Sequence, residues 1–138
     1  MKYLIRKGRL VDPVSGIGGV MDILLENDKV AVIGSDLSVP DAQVIDASGL
    51  VVCAGLVDLH AHLGQPGFEH RETVASGSLA AAAGGYTTVG CPPNTDPPID
   101  VPGGISYLQE LSAAVQGARL RPIAALSKGR LGQEVSDF

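Results

Sequence analysis

The sequence predicts an α/β protein: a small β-sandwich domain over residues 1–50, followed over residues 51–138 by a parallel β-α-β-α-β unit. Three observations carry this reading. The first 50 residues offer short apolar runs separated by Gly-rich turns. At residue 50 the character changes, and Leu50 to Leu59 is almost continuously apolar, as in a strand buried on both faces of a parallel sheet. Beyond it, helical and β-branched segments alternate.

Each element follows in order. Tyr3-Leu4-Ile5 is a short apolar run, and Leu10-Val11-Asp12-Pro13 leads into a turn containing Gly16, Gly18 and Gly19. Val20 to Glu26 and Lys29 to Ile33 form a hairpin about Asn27-Asp28. Gln43-Val44-Ile45-Asp46 is a further strand. Glu72 to Gly84, rich in Ala, Ser and Gly, predicts a helix that lies close against a sheet, with Gly77 as its weak point. Tyr86 to Val89 is a second strand of the parallel unit, and the proline-braced segment Cys91 to Pro98 is a stiff loop. Ile105, Leu108, Leu111, Ser112 and Val115 keep helical spacing up to Gly117. Leu120 to Leu126 is the third strand, and Ser127 to Gly132 a loop.

Composition narrows the function classes. The chain has 138 residues, 45% of them hydrophobic, which excludes a disordered chain. No apolar run reaches the ~20 residues of a membrane span, and charge interrupts the first residues, so neither a membrane protein nor a secretory leader is expected. The net charge of −5 argues against nucleic acid as a partner. No Lys or Arg lies between Arg71 and Arg119, so that stretch has no basic phosphate-binding patch. The two cysteines, Cys53 and Cys91, form no CxxC pair and read as reduced, mostly buried thiols of a cytoplasmic protein.

The sharpest chemical feature is Asp58-Leu59-His60-Ala61-His62. Two histidines at i and i+2 of an extended segment point to the same face and can share one metal ion. Neutral imidazole suits zinc and its neighbours, but two ligands leave a site incomplete. Asp58 either accepts a hydrogen bond that fixes a histidine tautomer or caps nearby backbone. Asn94 falls in the loop after the second strand, on the same side as the histidines, and reads either as a substrate hydrogen-bonder or as a turn residue. His70 reads as a surface histidine, and Lys128 and Arg130 as solvent-exposed cations. No GxSxG, P-loop or GxGxxG motif is present.

These residues together resemble a known family. Gly55-Leu56-Val57-Asp58-Leu59-His60-Ala61-His62-Leu63 is similar to the first-strand signature of the amidohydrolase superfamily. The segments 66–73, 81–89, 93–97 and 126–134, in this order and spacing, resemble the long-form bacterial dihydroorotases. The resemblance covers essentially the whole chain and implies the start of a (β/α)8 metal-dependent hydrolase barrel, about three strands and two helices of it, behind the small sandwich domain. It implies a zinc-dependent cyclic amide hydrolase that interconverts carbamoyl-aspartate and dihydroorotate in pyrimidine biosynthesis. On it, His60 and His62 match the first two metal ligands of a site holding one or two zinc ions, and Asn94 matches a substrate-binding amide.

Two departures stand out, besides a harmless Ala54 where the family has Pro. Where the family carries Arg-Glu, with the Arg gripping the substrate carboxylate, this chain has Gly64-Gln65. A β/α barrel also takes about 250 residues, far more than residues 51–138 supply. The expectation is therefore an N-terminal portion without catalytic turnover of its own, the general base lying beyond residue 138. Two alternatives accompany it: a non-catalytic homologue that acts as a structural partner of aspartate transcarbamoylase, and a hydantoinase- or allantoinase-type ring-opening enzyme. A homo-oligomer formed through the open sheet edge is a further expectation.

Overall fold

The computed structural model describes residues 1–138. Strand β1 (Lys2–Asp12) pairs antiparallel with β2 (Ile17–Glu26), which pairs antiparallel with β3 (Lys29–Gly34). Short strands β4 (Gln43–Asp46) and β5 (Val51–Cys53) both pair parallel with β1, on successive stretches of it, completing one five-stranded sheet. Asn27 and Asp28 have φ of +49° and +63°, the two left-handed residues that a tight hairpin between β2 and β3 requires. Leu4, Leu10, Ile23, Leu24 and Ala47 are its buried apolar residues.

Two features make β1 longer than its apolar runs suggest. The register of β1 against β2 shifts between Ile5 and Gly8, and Lys7 takes φ +59° there, so the charged stretch is absorbed as a bulge. Gly18 and Gly19 pair with Val11 and Leu10, so the Gly-rich segment belongs to β2 rather than to a turn. The bulge is fixed by Asp22. This carboxylate is 3% exposed; it accepts the Lys7 backbone N–H at 2.8 Å and that of Leu37 at 3.0 Å, with Arg6 Nε at 3.7 Å. The Lys7 N–H is the main reason its pKa lies below the usual carboxylate range; the Leu37 N–H and Arg6 add to this and burial opposes it.

The apolar run from Leu50 to Leu59 is not one strand. It divides at Ala54-Gly55 into β5, in the sheet just described, and β6 (Leu56–Asp58), in another. The expectation of burial on both faces fails as well: Val51, Leu56, Val57 and Leu59 are exposed. Gly55 marks the break, because a Cβ there would stand 2.1 Å from Thr87 Cγ2. Cys53, on β5, is exposed rather than buried; Cys91 is buried, and that burial pushes its thiol pKa up.

The chain accordingly forms two compact units, Met1–Ala54 and Gly55–Phe138. In the second, β6, β7 (Tyr86–Cys91) and β8 (Arg119–Pro122) form a parallel sheet in that order. Helices α1 (Val74–Ala83) and α2 (Pro102–Ala113) are the crossovers. Helix α1 starts with a capping box in which Thr73 Oγ1 accepts the Ser76 N–H at 3.1 Å and Ser76 Oγ accepts the Thr73 N–H at 3.1 Å. Its small residues allow close approach as expected: Ala118 donates to Ser78 O at 3.0 Å, and a Cβ on Gly117 would stand 2.8 Å from that oxygen. Helix α2 starts with Pro102, which needs no N–H there. Leu63, Val74, Cys91, Ile99, Leu108 and Leu120 form the core. Strand β8 stops at Pro122, short of the predicted Leu126, although Ile123 still donates to Cys91 O at 2.8 Å. No helix is long and apolar enough to cross a membrane.

Candidate metal centre

The site begins where β6 ends. Beyond Asp58 the chain stays extended, and Ala61 donates to Gly90 O at 2.9 Å, prolonging the pairing with β7. Alternation then sorts the side chains: Leu63 enters the core and Ala61 is half-buried, while His60 and His62 are exposed on the other side. Gly90 makes this approach possible, because a Cβ there would lie 2.7 Å from Leu59 O.

The two imidazoles converge. Nε2 of His60 lies 3.2 Å from Nε2 of His62, with ring centroids 5.0 Å apart and planes at 67°. At this distance no more than one of the two nitrogens carries a proton, and with both rings protonated on Nδ1 both Nε2 lone pairs are free for a metal. Asp58 Oδ1 accepts the His60 backbone N–H at 2.9 Å, so of the two roles open to this carboxylate the observed contact is with backbone. No group of three or more His, Cys, Asp or Glu side chains is placed to hold a metal.

Beside the pair lies a cavity of about 420 Å³, lined by His62, Gly64, Asn94, Arg71 and Arg130 among others. Asn94 comes from the proline-braced loop after β7. That loop is tied by Asp96 N–H to Pro66 O (3.0 Å), Ile99 N–H to Pro93 O (3.1 Å) and Thr95 Oγ1 to Pro97 O (2.8 Å). The Oδ1 atom of Asn94 is buried and has no hydrogen-bond partner. His70 is exposed, its ring 6.4 Å from that of Phe68, and stands apart from the histidine pair. Lys128 is engaged by Glu134 and, at 3.9 Å, by Asp137.

Three further residues had no site role in the reading of the sequence, Gln65 standing there only as a departure from the family and Arg130 as a solvent-exposed cation. Gln65 Oε1 accepts the Val74 N–H at 3.0 Å, and its Nε2 donates to Tyr107 Oη at 3.1 Å, joining the first turn of α1 to α2. Arg71 and Arg130 both reach the cavity. None of the three has a spacing that would have singled it out.

The mixed α/β fold of this chain has solved counterparts. The L-hydantoinase (dihydropyrimidinase) of Arthrobacter aurescens matches 94% of this chain with a TM-score of 0.76 and 29% identity, over 29% of its own length. The dihydropyrimidinase of Brevibacillus agri matches 91% with a TM-score of 0.71 and 31% identity, over 28% of its own length. The profile of the family described as Dihydro-orotase-like matches residues 49–138, and the chain belongs to that family. The dihydroorotases of Aquifex aeolicus and Syntrophotalea carbinolica are 43% and 42% identical to it over all 138 residues. The chain spans about a third of the length of these curated relatives, 33% and 32%.

Proposed function

We propose that this chain supplies half of the metal centre, and part of the substrate pocket, of a zinc-dependent cyclic amide hydrolase acting on carbamoyl-aspartate and dihydroorotate. Residues 55–138 are then the opening of a β/α barrel, and residues 1–54 part of a small β-sandwich domain. The observation that carries the reading is the 3.2 Å between the two Nε2 atoms. A tetrahedral zinc with Zn–N of about 2.0–2.1 Å holds two ligand nitrogens about 3.3 Å apart. The donor set fits as well, being two exposed imidazole nitrogens on one side of an extended segment.

Within this reading His60 and His62 hold the ion. Asp58 fixes the His60 backbone, and the core anchor Leu63 fixes the other end of the segment. Asn94 offers its free amide oxygen to the substrate ring. When bound, zinc lowers the pKa of a coordinated water from 15.7 to about 7 and so supplies hydroxide at neutral pH. A second reading, hydrolysis of a neutral ring as the names of the hydantoinase relatives suggest, is favoured by Gly64, which brings no side chain to the cavity.

The test is zinc content after dialysis, measured by elemental analysis with circular dichroism as the check on folding. The chain should retain zinc, and His60→Ala or His62→Ala should remove it. Unchanged zinc in both folded variants would overturn the assignment. With only two ligands converging, the chain by itself should show no dihydroorotate hydrolysis, and turnover would refute the half-site.

A further inference from the structure

The histidine segment is held at its two ends by different means. Upstream, Ala61 N–H to Gly90 O (2.9 Å) keeps it on β7, and Asp58 Oδ1 accepts the His60 N–H at 2.9 Å. Downstream the ladder has ended. After His62 the chain buries Leu63 in the core and turns sharply, with Gln65 N–H to Leu63 O at 2.9 Å and Phe68 N–H to Gly64 O at 2.7 Å. Gly64, at φ +70°, has no side chain with which to fasten this turn. Gln65 is the first residue after His62 whose side chain makes a hydrogen bond beyond it.

Both ends of the Gln65 carboxamide are committed. Its Oε1 accepts the Val74 N–H at 3.0 Å, one of the first-turn donors of α1 that no helical carbonyl can take. Its Nε2 donates to Tyr107 Oη on α2 at 3.1 Å. A backbone N–H can only donate, so Val74 fixes which end of the amide is oxygen and removes the flip that an amide otherwise has. One half-buried side chain thus joins the turn to two helices. It does not line the cavity, so any effect it has on the site passes through the backbone.

Resting on the metal-centre reading, we propose that Gln65 is a positioning residue for His62: by pinning the turn to α1 and α2 it holds the second imidazole where its Nε2 stands 3.2 Å from that of His60. With two side chains converging on the ion, affinity depends on how much of the time both are in place. The apparent dissociation constant is the intrinsic one divided by the competent fraction. A turn free to swing about Leu63 spreads the nitrogen separation away from the roughly 3.3 Å that tetrahedral zinc sets. Asp58 then serves His60 as Gln65 serves His62, each from its own side of the pair.

The test is the dissociation constant for zinc alone, by calorimetric titration of the chain, with the histidine ring signals followed by NMR. Gln65→Ala should weaken zinc about tenfold, a competent fraction cut to roughly a tenth. It should also shift or broaden the ring signals of His62 while leaving those of His70. Tyr107→Phe removes the hydroxyl and leaves the Val74 bond, so its zinc affinity should fall between. Tyr107 is 39% exposed, so this variant should fold. Ile105→Ala thins the packing of α2 on the core without touching the amide; it should lower the urea midpoint and leave zinc affinity unchanged. Unaltered zinc affinity in folded Gln65→Ala would overturn the positioning role, as would an equal loss in Ile105→Ala. Should Gln65→Ala not fold, unaltered affinity in Tyr107→Phe overturns it. In each of these cases the metal centre itself stands. Absence of zinc binding by the unaltered chain would remove the metal centre, and the role of Gln65 with it.

Discussion

Gly64 has φ +70°, and a Cβ built on it would stand 2.9 Å from the carbonyl oxygens of both Phe68 and Glu72. Both neighbours are backbone and cannot rotate away as a side chain can. The residue is thus set by the turn that carries Arg71, independently of what the cavity binds. Gly64→Ala should destabilise the chain by roughly 1–3 kcal/mol. The expected signature is a lower urea midpoint with an unchanged slope; an unshifted midpoint would mean that the turn adapts. Gly64→Arg should carry the same penalty, so placing a cation here requires rebuilding the turn. The next residue shows a related economy. Gln65 serves α1 with its oxygen and Tyr107 with its nitrogen, a pairing that a carboxylate at the same position could only half reproduce.

Among the elements, the contact between β6 and β7 decides whether the imidazoles meet. Gly90 sits against the Leu59 carbonyl at a distance no Cβ tolerates, and its own oxygen receives the Ala61 N–H. Gly90→Ala should therefore cost about 1–3 kcal/mol and also weaken zinc retention, since it pushes on the backbone one residue before His60. Zinc retained at the level of the unaltered chain would show that the histidine segment is held by Leu63 alone. This contact was not legible in the sequence, whereas the alternation of strand and helix was. β-Branched Thr87-Thr88-Val89, the Ala-rich helix and the helical spacing of Ile105, Leu108 and Leu111 are local signals, and local signals survive folding. The break at Ala54-Gly55 is not local. A run of apolar residues reports a preference for burial but not which strand it will pair with, and here two halves of one run pair with different sheets. In the site, the placement of the histidines past a strand followed from period-two geometry. Arg71 and Arg130 lie far apart in sequence and share a cavity only because two loops close on it, and no periodicity records that.

For the molecule as a whole, acid should act first on one unit. Asp12, Asp22, Asp41 and Asp46, all in residues 1–54, are held below the usual carboxylate range. The leading causes are the Ser15 hydroxyl for Asp12, the Lys7 N–H for Asp22, Lys2 for Asp41 and the Ser48 hydroxyl for Asp46. A carboxylate whose folded pKa lies below its unfolded value of about 3.9 contributes its full stabilisation above that value. The contribution is lost as pH falls through the folded pKa, so the window opens near pH 4 and extends downward. The core of residues 55–138 rests instead on apolar packing of Leu63, Val74, Ile99, Leu108 and Leu120, which protonation does not touch. Amide exchange, corrected for its intrinsic pH dependence, should therefore show protection in residues 1–54 lost at a higher pH than in residues 55–138. Asp22→Asn should narrow that gap, because it removes the buried member of the set while lowering stability at neutral pH. Simultaneous loss of protection in both units, or a gap that Asp22→Asn leaves intact, would mean that the carboxylates of the first sheet are not what acid attacks.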